Sequence, residues 1–258
     1  MQGKSPDATS AHGHCKGSLI MSLEKAKAKI IENNEKISTL LRENEDLLRA
    51  EGFDLPNDNL NMDGLQKIKI PSQYIRTKEY FYEKYHLYII VSAWDVRNNI
   101  AYSFQVSDLY NYLINRFNIW GSVETMLYKN AIINFVSIFE AFVFECANNI
   151  CMCPSQCGKT NKCKRHFSNT QRNNSYKALC RMRELHIVDY DEAKMERIKE
   201  IIELRNRIHI RLAENNEFNS SDFCLALYNE VIGLLKQISE DIYTNGVKLY
   251  ACGKRITE

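Results

Sequence analysis

With 34 lysines and arginines against 32 aspartates and glutamates in 258 residues, the formal charges almost cancel, so net charge alone points to neither a nucleic-acid nor a membrane partner. A hydrophobic fraction of 45% belongs to a chain that folds around a core and excludes wholesale disorder. No run approaches the roughly 18 uninterrupted apolar residues of a membrane span, since even residues 131–144 contain Asn134, Ser137 and Glu140.

Residues 1–20 are rich in Gly, Ser and His, and are expected to be a leader outside the fold. They lack the basic start and apolar h-region of a secretory signal, which predicts a cytoplasmic protein with reduced cysteines and no membrane partner. Residues 21–50 are predicted to form one helix with a narrow apolar seam at Ile30, Ile37, Leu40 and Leu47. Asn33 and Asn44 fill the other seam positions, so the helix suits either a short coiled coil or docking on the rest of the chain.

Gly52, Pro56 and the polar residues 57–64 read as a linker, and residues 51–105 as linker plus an aromatic packing segment. Between Tyr74 and Tyr128 stand fourteen aromatic residues, which predicts core packing, with base stacking in a nucleic-acid groove as the alternative. Breaks are expected at Arg97-Asn98-Asn99 and at Gly121, and the β-branched content of residues 85–96 leaves a strand open there.

Residues 122–151 read as one long helix, apolar on most of its circumference. Asn130, Asn134, Ser137 and Glu140 recur on one side, as a solvated stripe or as a polar lining facing a neighbouring helix. Further helices are predicted over 174–186, 190–212 and 221–243, the last preceded by cap-type residues Asn219-Ser220-Ser221-Asp222. Short connections between them imply an antiparallel bundle over residues 106–258, interrupted by a cysteine-rich insert at 146–173.

The helix over 190–212 carries an apolar stripe of Ile198, Ile201, Ile202, Ile208 and Leu212 that passes through Arg205. At about 100° per residue, Arg205 and His209 lie roughly 40° apart, so both can address one point. Arginine rarely interrupts a buried face without a partner, and a carboxylate such as Glu140 would satisfy it. An arginine that holds a phosphate and a histidine that exchanges a proton near neutral pH are also the two functions that RNA cleavage by its own 2′-hydroxyl requires.

The run Glu203-Leu204-Arg205-Asn206-Arg207-Ile208-His209, together with Ile138-Phe139-Glu140-Ala141-Phe142 on the long helix, resembles the HEPN superfamily over roughly residues 109–250. The resemblance implies an all-α bundle that dimerises, with motif helices of two subunits forming a composite, metal-independent ribonuclease site, in toxin-antitoxin, anti-phage or stress systems and often beside a cognate protein partner. In that reading Arg205 stabilises the phosphate, His209 acts as general acid or base, Asn206 orients one of them and Glu140 holds Arg205. The family's active pattern places four to six residues between Arg and His, whereas three stand here, and the alternative is a non-catalytic, RNA-binding or scaffolding member. A second match, Arg181 to His186, lies one helix early and lacks the Asn.

Five of the nine cysteines fall between Cys146 and Cys163. Cys151, Cys153, Cys157 and Cys163 are candidate thiolate ligands of a structural zinc, with Cys146 or His166 as substitutes and free thiols as the alternative. No acidic residue stands between Glu145 and Glu184, and Lys159, Lys162, Lys164, Arg165, Arg172, Arg181 and Arg183 are the candidate RNA-binding residues, or else plain solvated charge. The sequence has no GxxxxGK[ST] loop, HExxH helix or GxSxG elbow, which disfavours ATP hydrolysis, metalloproteolysis and esterase chemistry.

Overall fold

The computed structural model describes residues 15–53, 69–150, 167–206 and 223–250, and among these every regular element is helical. The chain divides into two compact units, Met1–Ile68 and Lys69–Glu258.

The first unit contains α1, Cys15–Ala50, a 36-residue helix. It begins six residues before the predicted start, because extending an existing helix fixes one residue per hydrogen bond gained and Gly17 alone is too weak an obstacle. Ion pairs one turn apart line its surface, Lys27 with Glu24 and both Lys29 and Lys36 with Glu32. Gly52 ends the helix at φ +88, donating its N–H to the Arg49 carbonyl while Phe53 N–H reaches Leu48. A side chain there is disfavoured by the left-handed backbone.

The second unit is built around α5, Gly121–Ile150, against which α4 (Trp94–Arg116), α7 (Ser175–Glu184), α8 (Glu192–Asn206) and α9 (Leu225–Asp241) all pack. The helix is nearly apolar all round and half of its residues are buried, including Ile132, Phe135, Phe139, Phe142 and Val143. By length and composition alone α5 is apolar enough to cross a membrane, but 61% of its most apolar window is buried within the protein, as in a central core helix.

Of two short helices, α2 (Lys78–Lys84) packs on α4, and α3 (Leu87–Ile90) packs on α2 and α5. Thr77 caps α2 by accepting the Tyr80 N–H. Between the two helices His86 takes φ 51, and its ring stacks on Tyr243 at 3.9 Å. Residues 85–96 therefore form no strand. The tight turn at His86 lets Leu87, Ile90 and Val91 bury completely against the bundle, and packing outweighs their β preference.

Nor does Arg97-Asn98-Asn99 break the chain, since α4 runs straight through it. Asn98 is buried with its polar groups satisfied: its amide donates to the Trp94 carbonyl, and its oxygen accepts from the Tyr82 hydroxyl at 2.6 Å. The aromatic segment splits in two. Phe104 stacks on Phe81 and Tyr85 in the core, whereas Trp94 and Trp120 are 70% and 85% exposed.

Residues 146–150, the expected start of the cysteine-rich insert, are the last turns of α5, and within the same expected insert Phe167 is fully buried ahead of the short helix α6, Asn169–Arg172. A capping box between Ser168 and Gln171 starts α6. The next helix is α7, whose N-cap is Asn174. The last helix, α9, begins at Leu225 with Cys224 in the cap position and no side-chain cap bond; the expected cap residues 219–222 lie outside the described residues. After Asp241 the helix loosens into a π turn, Ile242–Gly246. A Cβ on Gly246 would meet Cys146 Sγ at 3.2 Å, so a larger residue there would make the neighbouring side chains shift by a few tenths of an ångström.

Candidate functional site around Glu140 and Arg205

The polar stripe of α5 serves three different ends. Asn134 turns to α4, its amide donating to the Ser103 carbonyl and to Ser107 Oγ, both at 2.7 Å. Ser137 donates to the Ile133 carbonyl of its own helix, and Asn130 is exposed. Glu140 faces α7 and α8. It is therefore neither a uniform solvated stripe nor a single lining.

Glu140 is 8% exposed, and a carboxylate removed from water to that degree needs compensation on both oxygens. Ser175, the first residue of α7, donates its hydroxyl to Oε1 at 2.8 Å. Nη1 of Arg205 lies 2.6 Å from Oε2. That oxygen is sealed from water and takes no aligned hydrogen bond, so the ion pair is its compensation. Because Ser175 opens α7, the carboxylate also lies at the positive end of that helix's dipole. Three helices meet at one charge.

Arg205 occupies the last turn of α8. Ile198 and Ile201 below it are buried, while the Arg205 side chain keeps 45% of its surface exposed. The guanidinium thus spans the boundary, one edge on Glu140 and the rest facing solvent. Such a geometry leaves donors for a phosphate or carboxylate that approaches from outside. Asn206 ends α8, but its side chain and His209 lie outside the described residues.

The basic candidates divide likewise. Lys159, Lys162, Lys164 and Arg165 lie outside the described residues, as do Cys151, Cys153, Cys157, Cys163 and His166. Arg181 pairs with Glu184, and Arg183 with Glu192 at 2.7 Å across a cleft between α7 and α8 that Tyr176 and Cys180 also line. Arg172 is half-buried on α6. His186, the end of the second Arg-to-His match, terminates α7 at φ 57, donating its N–H to the Arg183 carbonyl while Ile187 N–H reaches Met182. The histidine of that match thus stands where α7 ends, in a left-handed helix-terminating conformation.

Cys146 points into the core, fully buried beside Gly246, and burial pushes its thiol far above the usual range. Its side chain packs α5 against the turn at Gly246.

Two polar constellations went unseen in the sequence. Ser175 supplies half of Glu140's compensation, and only its place after the cap residue Asn174 hinted at a helix start. Asp108, 4% exposed, accepts from the Arg76 backbone N–H at 2.9 Å and from its Nε at 2.9 Å, tying the segment before α2 to α4. Thirty-two residues separate that pair, and no periodicity connects them. No family model, curated protein or solved structure matches this chain.

Proposed function

We propose that this chain is a HEPN-type RNA-directed protein, a metal-independent endoribonuclease that works as a homodimer in a cytoplasmic defence or stress response. The observation that carries the reading is the state of Arg205: anchored on a buried carboxylate at 2.6 Å, yet with nearly half of its side chain open to solvent. An arginine held this way loses little conformational freedom when it takes up a phosphate. The all-helical class and the position of the arginine in the last turn of α8 support the same reading.

In the proposed reaction the RNA 2′-hydroxyl attacks the adjacent phosphorus and expels the 5′-oxygen, leaving a cyclic phosphate. Arg205 stabilises the charge that grows on the phosphoryl oxygens. His209 takes the proton from the 2′-hydroxyl or returns one to the leaving oxygen, and Asn206 orients it. Glu140 and Ser175 position Arg205 and do not touch the substrate. The second reading is a non-catalytic scaffold in which the Glu140–Arg205 pair only joins α5 to α8, and the engagement of Nη1 by Glu140 favours it.

Mixed RNAs incubated with the purified chain in the presence of a metal chelator separate the two. The nuclease reading expects cleavage by the wild type and its loss in His209→Ala, with the melting temperature unchanged. A wild type that cleaves nothing leaves the scaffold.

A further inference from the structure

Helix α1 carries an apolar seam on a surface that, in the single chain, faces water: Ile30, Ile37, Leu40 and Leu47 are between 47% and 66% exposed. Written as heptads, the a positions hold Ile30, Ile37 and Asn44, and the d positions hold Asn33, Leu40 and Leu47. Exposed i,i+3 and i,i+4 ion pairs add little to a helix, so the larger stabilisation open to α1 is burial of this apolar seam against a partner.

We propose that the partner is α1 of a second copy of the chain, lying antiparallel. Antiparallel packing sets a positions opposite d positions. One register sets Ile30 against Leu47 of the second copy, Asn33 against Asn44, and Ile37 against Leu40, and the two-fold axis repeats each layer. Every apolar residue then meets an apolar one, and every asparagine meets an asparagine whose amide can satisfy it. Moving the register by one heptad either way puts an asparagine against Ile37 or Leu40 and strands its amide in the seam.

Charge selects the direction. In the antiparallel register Lys36 flanks Glu43 of the second copy at neighbouring g positions, twice by symmetry. A parallel pair offers no such match, because the g residues Lys29, Lys36 and Glu43 would face Asn34, Leu41 and Leu48. Antiparallel alignment also opposes the two helix dipoles favourably. The pairing of α1 is argued without the ribonuclease reading and does not rest on it.

Engineered cysteines test it in the full chain. Within one helix, residues 33 and 44 are about 16 Å apart and cannot be bridged. Under mild oxidation, an Asn33→Cys/Asn44→Cys variant is expected to yield tryptic peptide 30–36 disulfide-linked to peptide 43–49, and mass spectrometry identifies that product whatever the native cysteines do. Asn33→Cys alone should give no 30–36 homodimer. Adding Leu40→Asp to the double variant should return the link to background, while thermal melting of the remaining chain is unchanged. Self-linked peptides from the single variants would mean a parallel pair and overturn the proposal. So would the absence of any 33-to-44 link, as expected if α1 docks on its own chain or on a different protein.

Discussion

Helices α1 and α5 are of similar length, 36 and 30 residues, and only one of them is a core. Their backbones obey the same geometry, but α1 is rich in Glu, Lys, Leu and Ala, whereas α5 is rich in β-branched and aromatic residues of lower helix propensity. What also differs is the apolar circumference. Around α5 nearly every direction presents Ile, Val, Phe or Ala, and six other helices pack on it; along α1 the apolar residues form one strip between lysines and glutamates. Tertiary packing holds α5 helical despite that composition, and the width of the apolar face decides how many neighbours each helix collects.

The comparison breaks most visibly at the centre of α5. Phe142→Ala should cost about 3–5 kcal/mol, read as a large fall in melting temperature, because a ring 1% exposed leaves a cavity that its packed surroundings cannot close. If calorimetry finds a loss no larger than that of a surface substitution, α5 is not the core helix described here.

Next comes the charge that α5 shares with α8. Arg205→Ala should destabilise by roughly 1–3 kcal/mol, less than a fully buried pair because the arginine is half open to water. Most of that cost is a bare carboxylate on Glu140. Combining Arg205→Ala with Glu140→Gln should therefore recover stability in denaturant titrations, and a double variant worse than the single would refute the argument.

A seam residue of α1 should behave differently. Leu47→Ala is expected to change the melting of the α5 bundle by less than about 0.5 kcal/mol, since the side chain is 66% exposed. The smallest effect belongs to the bundle's surface. Arg197 donates to both oxygens of Glu230, at 2.9 and 2.8 Å, and holds that carboxyl below its ordinary 4.5. A depressed carboxyl stabilises the fold above its ordinary pKa, and the contribution fades as pH falls below about 4.5 through the lowered value. Exposure to solvent reduces it to a few tenths of a kcal/mol. Glu230→Gln should accordingly flatten the acid limb of the stability curve slightly and leave neutral pH almost untouched.

Much of this architecture was legible in the residues. The extent of α5 followed from its unbroken apolar periodicity, and the partner of Arg205 followed from a charge interrupting an isoleucine stripe. Elsewhere local rules lost to packing. Arg97-Asn98-Asn99 has the composition of a break, yet Asn98 satisfies its side chain inside the helix and against Tyr82, which only the neighbouring α2 makes available. Residues 85–96 have the composition of a strand, but one left-handed residue, His86, allows two helices instead. Ser175 and Asp108 were missed for a different reason. Their partners are 35 and 32 residues away, and pairing over such distances leaves no periodic trace.

The two polar grips on α5 have a consequence for how the chain can vary. Asn134 holds α4 on one side and Glu140 holds α7 and α8 on another, six positions further along. One residue inserted between them would swing the second grip by about 100°, so one anchor or the other would lose its hold. A volume-conserving apolar swap along this stretch leaves both grips in place, whereas a change in its length does not.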